Sequence, residues 1–430
     1  MNIKISNITA IVPKDGEDVT VKTDIYISGD KISGIGKEPE GFSADRVIDG
    51  NGKLAIPGLV NCHTHSYMAF MRNIADDLSF FDWLFGTIDP IEQKMTDEDA
   101  YWGACLAIVE MMKSGTTCFN DMQMNPFMTT RAIKESGMRA VISRGLVGQG
   151  ADEGGARRIR ETYDEMEFCK DCDRITFMFG PHAPYTCDEE YFKIVANEAK
   201  KANVGIHVHL SESENEISQI KEKYGCSPIE MARRNGLMDV PCIAAHCVQV
   251  DEADMDILAA NNVSVVTNPA SNMKLGNGIA PVPEMLAKGI NVCLGTDGAA
   301  SNNSLNMFHE MNLLAMIHKG THRTPQCVGA KECFKIATIN GAKALSLEDK
   351  IGSLEVGKKA DIAILDLNVP SMNPTSNLLA ALSYSANGSE VSTVIINGKI
   401  TMEDRKILTL NEEEVYKHVN EIIERLTAKQ

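Results

Sequence analysis

Two histidine pairs with the same spacing carry the first chemical signal in the sequence. His63 and His65 follow a short apolar run in PGLVNCHTH, and His207 and His209 follow another in VGIHVHL. Residues two apart on a strand point to the same face, so each pair can direct two imidazole rings to one place. Neutral imidazole is a common ligand for zinc and similar divalent metals. The two pairs therefore predict a metal site, and a catalytic metal leaves one position for water.

Other polar residues occupy the ends of comparable apolar segments. His182 follows ITFMFGP, His246 follows CIAA and Asp297 follows VCLGT, so six of the ten histidines lie at such positions. One histidine of this kind is usually a hydrogen-bonded core residue, and a single His-x-His pair often arises by chance. Two pairs, together with further polar residues in register, favour a shared metal site over independent packing roles.

The segments that carry these residues alternate with stretches of helical periodicity. We count eight apolar, β-branched-rich segments between GLVNCHTH and VCLGTDGAA. Helical stretches such as TDEDAYWGACLAIVEMMKSG lie between them, and Thr96 with Asp99 predicts a capping box at the start of this one. Eight strands alternating with helices predict an α/β fold, a parallel (β/α)8 TIM-type barrel, whose catalytic residues lie at the carboxyl ends of its strands.

Both ends of the chain have a different, β-rich pattern. Short alternating segments fill the N-terminal part and return near the C-terminus in ADIAILDL and STVIINGKI. We therefore expect a small β domain assembled from residues 1–56 and 357–430, with the barrel formed by residues 57–356. Asn411, followed by acidic residues, predicts the start of a helix in the second of these segments.

The composition excludes several classes of protein. The chain has 430 residues, 43% of them hydrophobic, and its 42 basic against 59 acidic side chains give a formal net charge of −17. A polyanion such as DNA would be repelled by this balance, so we expect no nucleic-acid partner. No apolar run approaches the ~20 residues of a membrane helix, and the N-terminus lacks the pattern of a signal peptide. Twelve cysteines scattered through apolar segments fit buried thiols in a reducing cytoplasm.

Longer motifs resemble those of a known group of hydrolases. The order and spacing of PGLVNCHTH, HVHLSE, AAHC and LGTDGAASNN resemble the amidohydrolase superfamily. The closer resemblance is to the methylthioadenosine/S-adenosylhomocysteine deaminases, in ADDLSFFDWLFGTIDPIE, SRGLVG followed by DEGG, FGPHAPYTC and NPASNMKLGNGIAPV. It covers essentially the whole chain. It implies hydrolytic deamination of the adenine ring of 5′-methylthioadenosine and S-adenosylhomocysteine, which gives the inosine analogues and ammonia.

The resemblance also implies a set of site residues. One divalent metal ion would be bound, zinc in the first place, with Fe2+ and Mn2+ as alternatives. Its implied ligands are His63, His65, His209 and Asp297. A single metal fits this sequence because a histidine, and not a lysine, ends the fourth predicted strand. The implied substrate contacts are Glu92, Arg144, His182, Glu212 and a second arginine, which is either Arg157 or Arg158.

Deamination requires water to add to the ring carbon that carries the amine. Asp297 can accept the proton of that water and later pass it to the leaving ammonia, while Glu212 is placed to protonate the neighbouring ring nitrogen. We expect His246 to hydrogen-bond the attacking oxygen. His207 is expected to orient its neighbours rather than to bind the metal.

The remaining parts of such a substrate suit other side chains. The carboxylate of Glu92 can accept hydrogen bonds from both ribose hydroxyls. An arginine grips a carboxylate with paired hydrogen bonds, so Arg144 would hold the amino-acid carboxylate that methylthioadenosine lacks. Trp83 can form a wall of the pocket. Two roles are open for the nearby phenylalanines, a wall of the pocket or ordinary packing in the core. These residues are Phe80, Phe81 and Phe85.

Several alternatives stay open at this point. Adenosine and 5′-deoxyadenosine fit the same motifs, whereas IDPIE and SRGLVG argue against guanine and triazine substrates. A barrel that serves as a scaffold without metal is disfavoured because every expected ligand is present. The zinc site of cytidine deaminases needs His-x-Glu and Pro-Cys-x-x-Cys, which do not occur. A homo-oligomer is compatible with the sequence.

Overall fold

The N-terminal strands alternate core and surface residues, as a sheet with one buried face requires. The computed structural model describes residues 1–428. Ile3, Ile5 and Ile8 lie in a core of their own beneath this sheet. The strands are β1 (Asn2–Lys14), β2 (Glu17–Ser28), β3 (Lys31–Ile35), β4 (Arg46–Asp49) and β5 (Lys53–Pro57).

The next eight strands are parallel, and nearly every residue in them is buried. Each pairs with its neighbour in chain order. Burial on both faces explains the continuous apolar runs, since helices cover parallel sheets. The strands are β6 (Leu59–Thr64), β7 (Thr116–Gln123), β8 (Arg139–Leu146), β9 (Ile175–Pro181), β10 (Gly205–Leu210), β11 (Cys242–His246), β12 (Ser264–Thr267) and β13 (Val292–Leu294).

The first and last barrel strands meet just beyond their carboxyl ends. The amide of Asp297 donates to the carbonyl of His63 at 2.9 Å, and Asn61 Nδ2 donates to Thr296 Oγ1 at 2.7 Å. These bonds bring the two ends of the eight-stranded sheet together. The predicted (β/α)8 barrel is thereby confirmed.

Helices separate the barrel strands, and side chains fix where many of them begin. Thr96 and Asp99 form the predicted capping box at the start of the first long helix. Asp152, Asp188 and Ser213 cap later helices. The helices are α1 (Phe80–Trp83), α2 (Asp89–Glu92), α3 (Asp97–Lys113), α4 (Met128–Ser136), α5 (Glu153–Phe168), α6 (Glu189–Ala202), α7 (Glu214–Tyr224), α8 (Pro228–Arg234), α9 (Glu252–Ala260), α10 (Pro269–Lys274), α11 (Val282–Ala287), α12 (Ala299–Asn302), α13 (Met307–His322), α14 (Ala330–Ile336), α15 (Ile339–Ala344), α16 (Leu378–Tyr384) and α17 (Glu412–Thr427).

The C-terminal strands complete the sheet that the N-terminal strands begin. They are β14 (Ile362–Asp366), β15 (Val391–Ile396), β16 (Lys399–Glu403) and β17 (Lys406–Ile407). Strand β14 pairs with β5 in antiparallel register, from Ile362 opposite Pro57 to Asp366 opposite Lys53. The predicted β sheet assembled from both ends of the chain is therefore confirmed, while the exact domain boundaries stay a prediction.

The C-terminal helix packs on the barrel. Asn411 caps it as predicted, with its side-chain oxygen accepting from the amides of Glu413 and Glu414. Arg425 donates to the Asp99 carboxylate at 2.6 Å, at the start of α3. Val419, Ile422 and Leu426 belong to the same apolar cluster as Tyr67, Phe70, Phe80 and Trp83. Helix α17 thus supports the segment between β6 and α3.

Two sequence expectations concern the chain as a whole. Within residues 1–428, no helix combines the length and the apolar character needed to cross a membrane. All twelve cysteines are free thiols, Cys169 and Cys172 among them.

Candidate active site

A cavity of about 540 Å³ opens at the carboxyl ends of the barrel strands. The lining residues come from the loops that follow different strands, which is where barrel enzymes place their active sites. Nearly all of the predicted site residues line it. They are His65, Trp83, Glu92, Arg144, Arg157, Arg158, His182, His209, Glu212, His246 and Asp297.

The predicted metal ligands converge on one point at the base of this cavity. His63 Nε2 and His65 Nε2 each lie 3.4 Å from Asp297 Oδ1. His65 Nε2 lies 3.3 Å from His209 Nε2. The ring of His246 faces the same point, since its ligand atom lies within 4.8 Å of those of His63 and His209.

Hydrogen bonds on the outer sides of the rings fix which nitrogen faces the centre. His65 Nδ1 lies 2.8 Å from the carbonyl of Met122, and His209 Nδ1 lies 2.7 Å from the carbonyl of His182. A carbonyl only accepts, so each Nδ1 carries the proton and each Nε2 keeps its lone pair for the centre. His63 Nε2 is buried and has no hydrogen-bond partner in the described part of the chain. This donor set fits a divalent metal.

His207 lies behind His63 and not at the centre. Its Nε2 is 2.9 Å from His63 Nδ1, and its Nδ1 is 3.2 Å from Ser143 Oγ. Ser143 in turn donates to Asn120 Oδ1 at 3.3 Å. In this series of hydrogen bonds, His63 Nδ1 donates to His207 Nε2 and His207 Nδ1 donates to Ser143 Oγ. Because the proton of His63 is on Nδ1, its Nε2 is unprotonated. Burial lowers the pKa of His63 to about 4, which also keeps the ring neutral.

Asp297 is held in a left-handed backbone conformation, with φ of 61°. Its Oδ1 accepts from the amide of Gly298 at 2.7 Å. Its Oδ2 accepts from the hydroxyls of Ser271 at 2.6 Å and Ser301 at 2.9 Å. Burial alone would raise the pKa of Asp297, but the surrounding imidazoles of His63, His65 and His246 outweigh it and hold that pKa well below its usual range. This carboxylate is therefore ionised.

Glu212 has the opposite character. Its side chain is buried, and burial followed by the charge of Asp297 raises its pKa well above the usual range. Asn277 Nδ2 donates to Oε1 at 3.0 Å, while Oε2 lies 3.8 Å from His246 Nε2. Because a donor occupies Oε1, the proton of the carboxyl group belongs on Oε2. Glu212 is thus a proton donor in a defined direction.

His246 is oriented by an asparagine from the following loop. Its Nδ1 lies 2.8 Å from Asn272 Oδ1 and 3.3 Å from Asn268 Nδ2, and these contacts leave Nε2 facing the cavity. The φ of His246 is 74°, a left-handed value at the end of β11. This backbone turn and the asparagine together direct the ring towards the cavity.

His182 lies on the same wall, with its ring 4.8 Å from that of His209. Its Nδ1 is 2.9 Å from Thr186 Oγ1, whose hydroxyl donates to the carbonyl of Ala183 at 3.1 Å. Burial lowers the pKa of His182 to about 3, so the ring is neutral. Its remaining nitrogen is therefore an acceptor for a ligand in the cavity.

The segment between β6 and α3 covers one side of the cavity. Trp83 Nε1 donates to the carbonyl of Ala300 at 3.1 Å, which ties the segment to the loop after β13. Tyr67 donates its hydroxyl to Glu92 Oε1 at 2.9 Å. Phe80 and Phe85 also line the cavity. Phe81 stacks on Phe85, with ring centroids 5.6 Å apart.

Several residues that shape the site were missed by sequence reasoning. Asn272, Asn277 and Ser271 fall within NPASNMKLGNGIAPV, and Thr186 falls within FGPHAPYTC. Both motifs were visible, but nothing in the sequence says which histidine or carboxylate each residue contacts. Nothing in the sequence indicates a role for Tyr67 in the site, apart from its position two residues after His65.

Three imidazoles and a carboxylate at the strand ends of a (β/α)8 barrel, beside a second carboxyl group able to donate a proton, define a metal-dependent hydrolase. The model of the amidohydrolase family matches residues 54–401. The chain belongs to the amidohydrolase family.

Known proteins resemble this chain over nearly its full length. A 5-methylthioadenosine/S-adenosylhomocysteine deaminase from Thermoanaerobacter pseudethanolicus is 47% identical over 97% of this chain and 98% of its own. A protein of the same name from Caldanaerobacter subterraneus subsp. tengcongensis is 44% identical over 97% of each chain. The crystal structure of an adenosine deaminase from Xanthomonas campestris with bound zinc has a TM-score of 0.93 and 30% identity, and covers 99% of this chain and 98% of that one.

Proposed function

We propose that this hydrolase removes the amine from the adenine ring of 5′-methylthioadenosine and S-adenosylhomocysteine, giving the inosine analogues and ammonia. The observation that carries the proposal is the pair of buried carboxyl groups Glu212 and Asp297, the first with a raised and the second with a lowered pKa, in a cavity also lined by Glu92 and Arg144. The names of the relatives at 47% and 44% identity support the same substrates.

We propose His63, His65, His209 and Asp297 as the ligands of one divalent metal. The unprotonated, converging Nε2 atoms support this set. Such a metal lowers the pKa of a coordinated water towards ~7 and so supplies a nucleophile at neutral pH. Zinc is the metal we expect, because the adenosine deaminase of similar fold was solved with it. Fe2+ and Mn2+ accept the same nitrogen and oxygen ligands.

The proton steps fall to three side chains. Asp297, being ionised, takes the proton of the water that adds to the carbon bearing the amine. Glu212 gives its Oε2 proton to the neighbouring ring nitrogen, so that no negative charge accumulates on the ring. His246 Nε2 orients the attacking oxygen. Asp297 then returns its proton to the amine, which leaves as ammonia while the ring carbonyl forms, and the proton that the new hydroxyl loses restores the carboxyl group of Glu212.

The other lining residues suit the rest of the nucleoside. We assign Glu92 to the two ribose hydroxyls and His182 to a hydrogen bond with the nucleoside. Arg144 with Arg157 or Arg158 is assigned to the amino-acid carboxylate. We assign Trp83 to a wall of the pocket and not to a hydrogen bond with the nucleoside, since its indole N–H already donates to the carbonyl of Ala300.

The test is ammonia release from purified, zinc-loaded protein. S-adenosylhomocysteine, methylthioadenosine, adenosine, 5′-deoxyadenosine and guanine are supplied in parallel. Ammonia release from the first two compounds supports the proposal. Asp297→Ala should abolish this release, and the exposed control Asp256→Ala should retain it. Release from guanine alone would overturn the substrate and leave the fold and the family untouched.

Adenosine and 5′-deoxyadenosine are the second candidate substrates. The observation in their favour is the similarity to the adenosine deaminase of Xanthomonas campestris. Like methylthioadenosine, they lack the homocysteine carboxylate, so only S-adenosylhomocysteine would give the arginines of the cavity a carboxylate ligand. Activity that is highest on these two nucleosides would select this candidate.

We also propose that the protein works in the cytoplasm on small nucleosides and without a nucleic-acid partner. Twelve free thiols, most of them buried, support a reducing compartment. The formal net charge of −17 supports the absence of a polyanionic partner.

A further inference from the structure

Arg144 has most of its N–H groups occupied by acceptors from the protein. Its Nε and Nη2 donate to Glu161 Oε2 at 3.1 and 2.9 Å, and its Nη1 donates to the carbonyl of Gly145 at 2.9 Å. The guanidinium is 5% exposed. The Nε/Nη2 edge, one of the two that could form a paired hydrogen bond with a ligand carboxylate, is therefore already bound to a carboxylate of the protein.

The same glutamate also contacts a second arginine of the cavity. Arg157 Nη1 donates to Glu161 Oε1 at 3.0 Å, so one carboxylate bridges two guanidinium groups through its two oxygens. Arg158 lines the cavity without this contact and donates to the carbonyl of Val147 at 3.0 Å. Glu161 thus cancels half of the positive charge of the two arginines that it bridges.

We infer that Glu161 sets the preference of the enzyme between its two substrate classes. It occupies arginine N–H groups and supplies a negative charge beside them, so it weakens binding of a thioether nucleoside that carries a carboxylate. A neutral thioether nucleoside, such as methylthioadenosine, does not experience this repulsion. The inference rests on the proposed function, because it assumes that the substrate side chain lies against these arginines.

Glu161 acts in this way through charge and not by holding Arg144 in place. A second set of acceptors fixes the other side of the guanidinium, namely the carbonyls of Gly145 at 2.9 Å and Gln123 at 3.5 Å. The arginine therefore keeps its position when Glu161 loses its charge. Glutamine at position 161 has nearly the same shape and retains one acceptor oxygen, so Glu161→Gln isolates the charge.

The experiment compares zinc-loaded wild type, Glu161→Gln and Glu167→Gln on both nucleosides. Glu167 lies on the same helix, is 70% exposed and pairs with Lys170, so its variant removes an equal charge away from the cavity. We expect Glu161→Gln to raise the ratio of kcat/KM for S-adenosylhomocysteine to that for methylthioadenosine about tenfold, equivalent to about 1.4 kcal/mol. The change should appear in KM for S-adenosylhomocysteine, with kcat unchanged, and Glu167→Gln should leave the ratio as in wild type.

The same ratio is measured as Kd for the two inosine analogues, which bind without turnover. A shifted Kd ratio in a protein that deaminates neither nucleoside would sustain the role of Glu161 and overturn the proposed function. Glu161→Met serves where Glu161→Gln does not fold, because it also removes the charge and has a side chain of similar length. We expect a shift in the same direction. An unchanged or lowered ratio overturns the inference.

Discussion

At the scale of single residues, two buried carboxyl groups in one cavity differ in charge. Burial and the charge of Asp297 raise the pKa of Glu212. In Asp297 the surrounding imidazoles of His63, His65 and His246 outweigh burial and lower the pKa. When the surroundings of two titratable groups shift their pKa values apart, the group with the higher pKa can act as the acid and the group with the lower pKa as the base. These surroundings support the proposed roles of Glu212 as the acid and Asp297 as the base.

The Glu212→Gln variant tests the acid. The amide cannot release a proton to the ring nitrogen, so we expect kcat on methylthioadenosine to fall by roughly 10²- to 10⁴-fold with little change in KM. Steady-state kinetics of the zinc-loaded protein measures this. Glu214→Gln, on the neighbouring helix α7, should leave kcat within about twofold. Normal turnover in Glu212→Gln would remove Glu212 from the mechanism.

The sequence predicts the ligand residues better than their partners. His63 and His65 stand out because their spacing alone puts two imidazoles on one face of a strand. The bond from Asn277 to Glu212 joins residues 65 apart in the chain, and that from Ser271 to Asp297 joins residues 26 apart. Such pairs come together only when loops from different strands meet, so their chemistry is visible in the sequence and their pairing is not.

At the scale of elements, the segment from α1 to α2 depends on others for its position. Both helices are joined by a π-helical turn, Leu84–Ile88, into one short helical run that would be marginal in isolation. Packing within the apolar cluster to which α17 also contributes, and two hydrogen bonds, from Trp83 to Ala300 and from Tyr67 to Glu92, hold the segment over the cavity. The sequence predicted aromatic walls here. It did not predict that the C-terminal helix supports them, because nothing in its periodicity specifies a docking partner.

Tyr67→Phe tests this arrangement. The change removes one hydrogen bond to Glu92 and keeps the ring, so Glu92 loses its orientation while the apolar cluster remains. We expect KM for both nucleosides to rise about five- to tenfold, the equivalent of one hydrogen bond, with kcat within about twofold. Tyr101→Phe removes a similar bond, to Glu135 at 2.7 Å on the surface, and should leave KM unchanged. An unaltered KM in Tyr67→Phe would contradict the proposed contact of Glu92 with the substrate.

At the scale of the whole molecule, a buried ion pair joins the barrel to the β sheet formed by both chain ends. Arg139, the first residue of β8, donates to Asp361 at 2.6 and 3.1 Å and to Asn397 at 3.1 Å. Both charged side chains are 2% exposed. Removing one partner of such a pair leaves an uncompensated charge in the interior. The pair therefore couples the stability of the two parts of the chain.

Arg139→Met should destabilise the protein by about 3–5 kcal/mol, because Asp361 remains buried without its cation. Equilibrium unfolding in urea measures the change, and kcat of the folded fraction should be unaffected. The exposed pair of Arg131 and Glu135 provides the control, since Arg131→Met should cost less than about 1 kcal/mol. Equal effects of the two variants would show that the buried pair contributes no more than a surface pair.

Metal binding should stabilise the entire fold, because the ligands come from β6, β10 and the loop after β13. The metal binds the native arrangement and not the unfolded chain, so its removal lowers the melting temperature by mass action. We expect chelation to lower Tm, zinc to restore it, and Asp297→Asn to abolish the zinc-dependent shift. His318→Gln, a buried histidine outside the cavity, should keep the shift even if its own Tm is lower. A Tm that does not respond to zinc in the wild type would contradict the metal site independently of any activity.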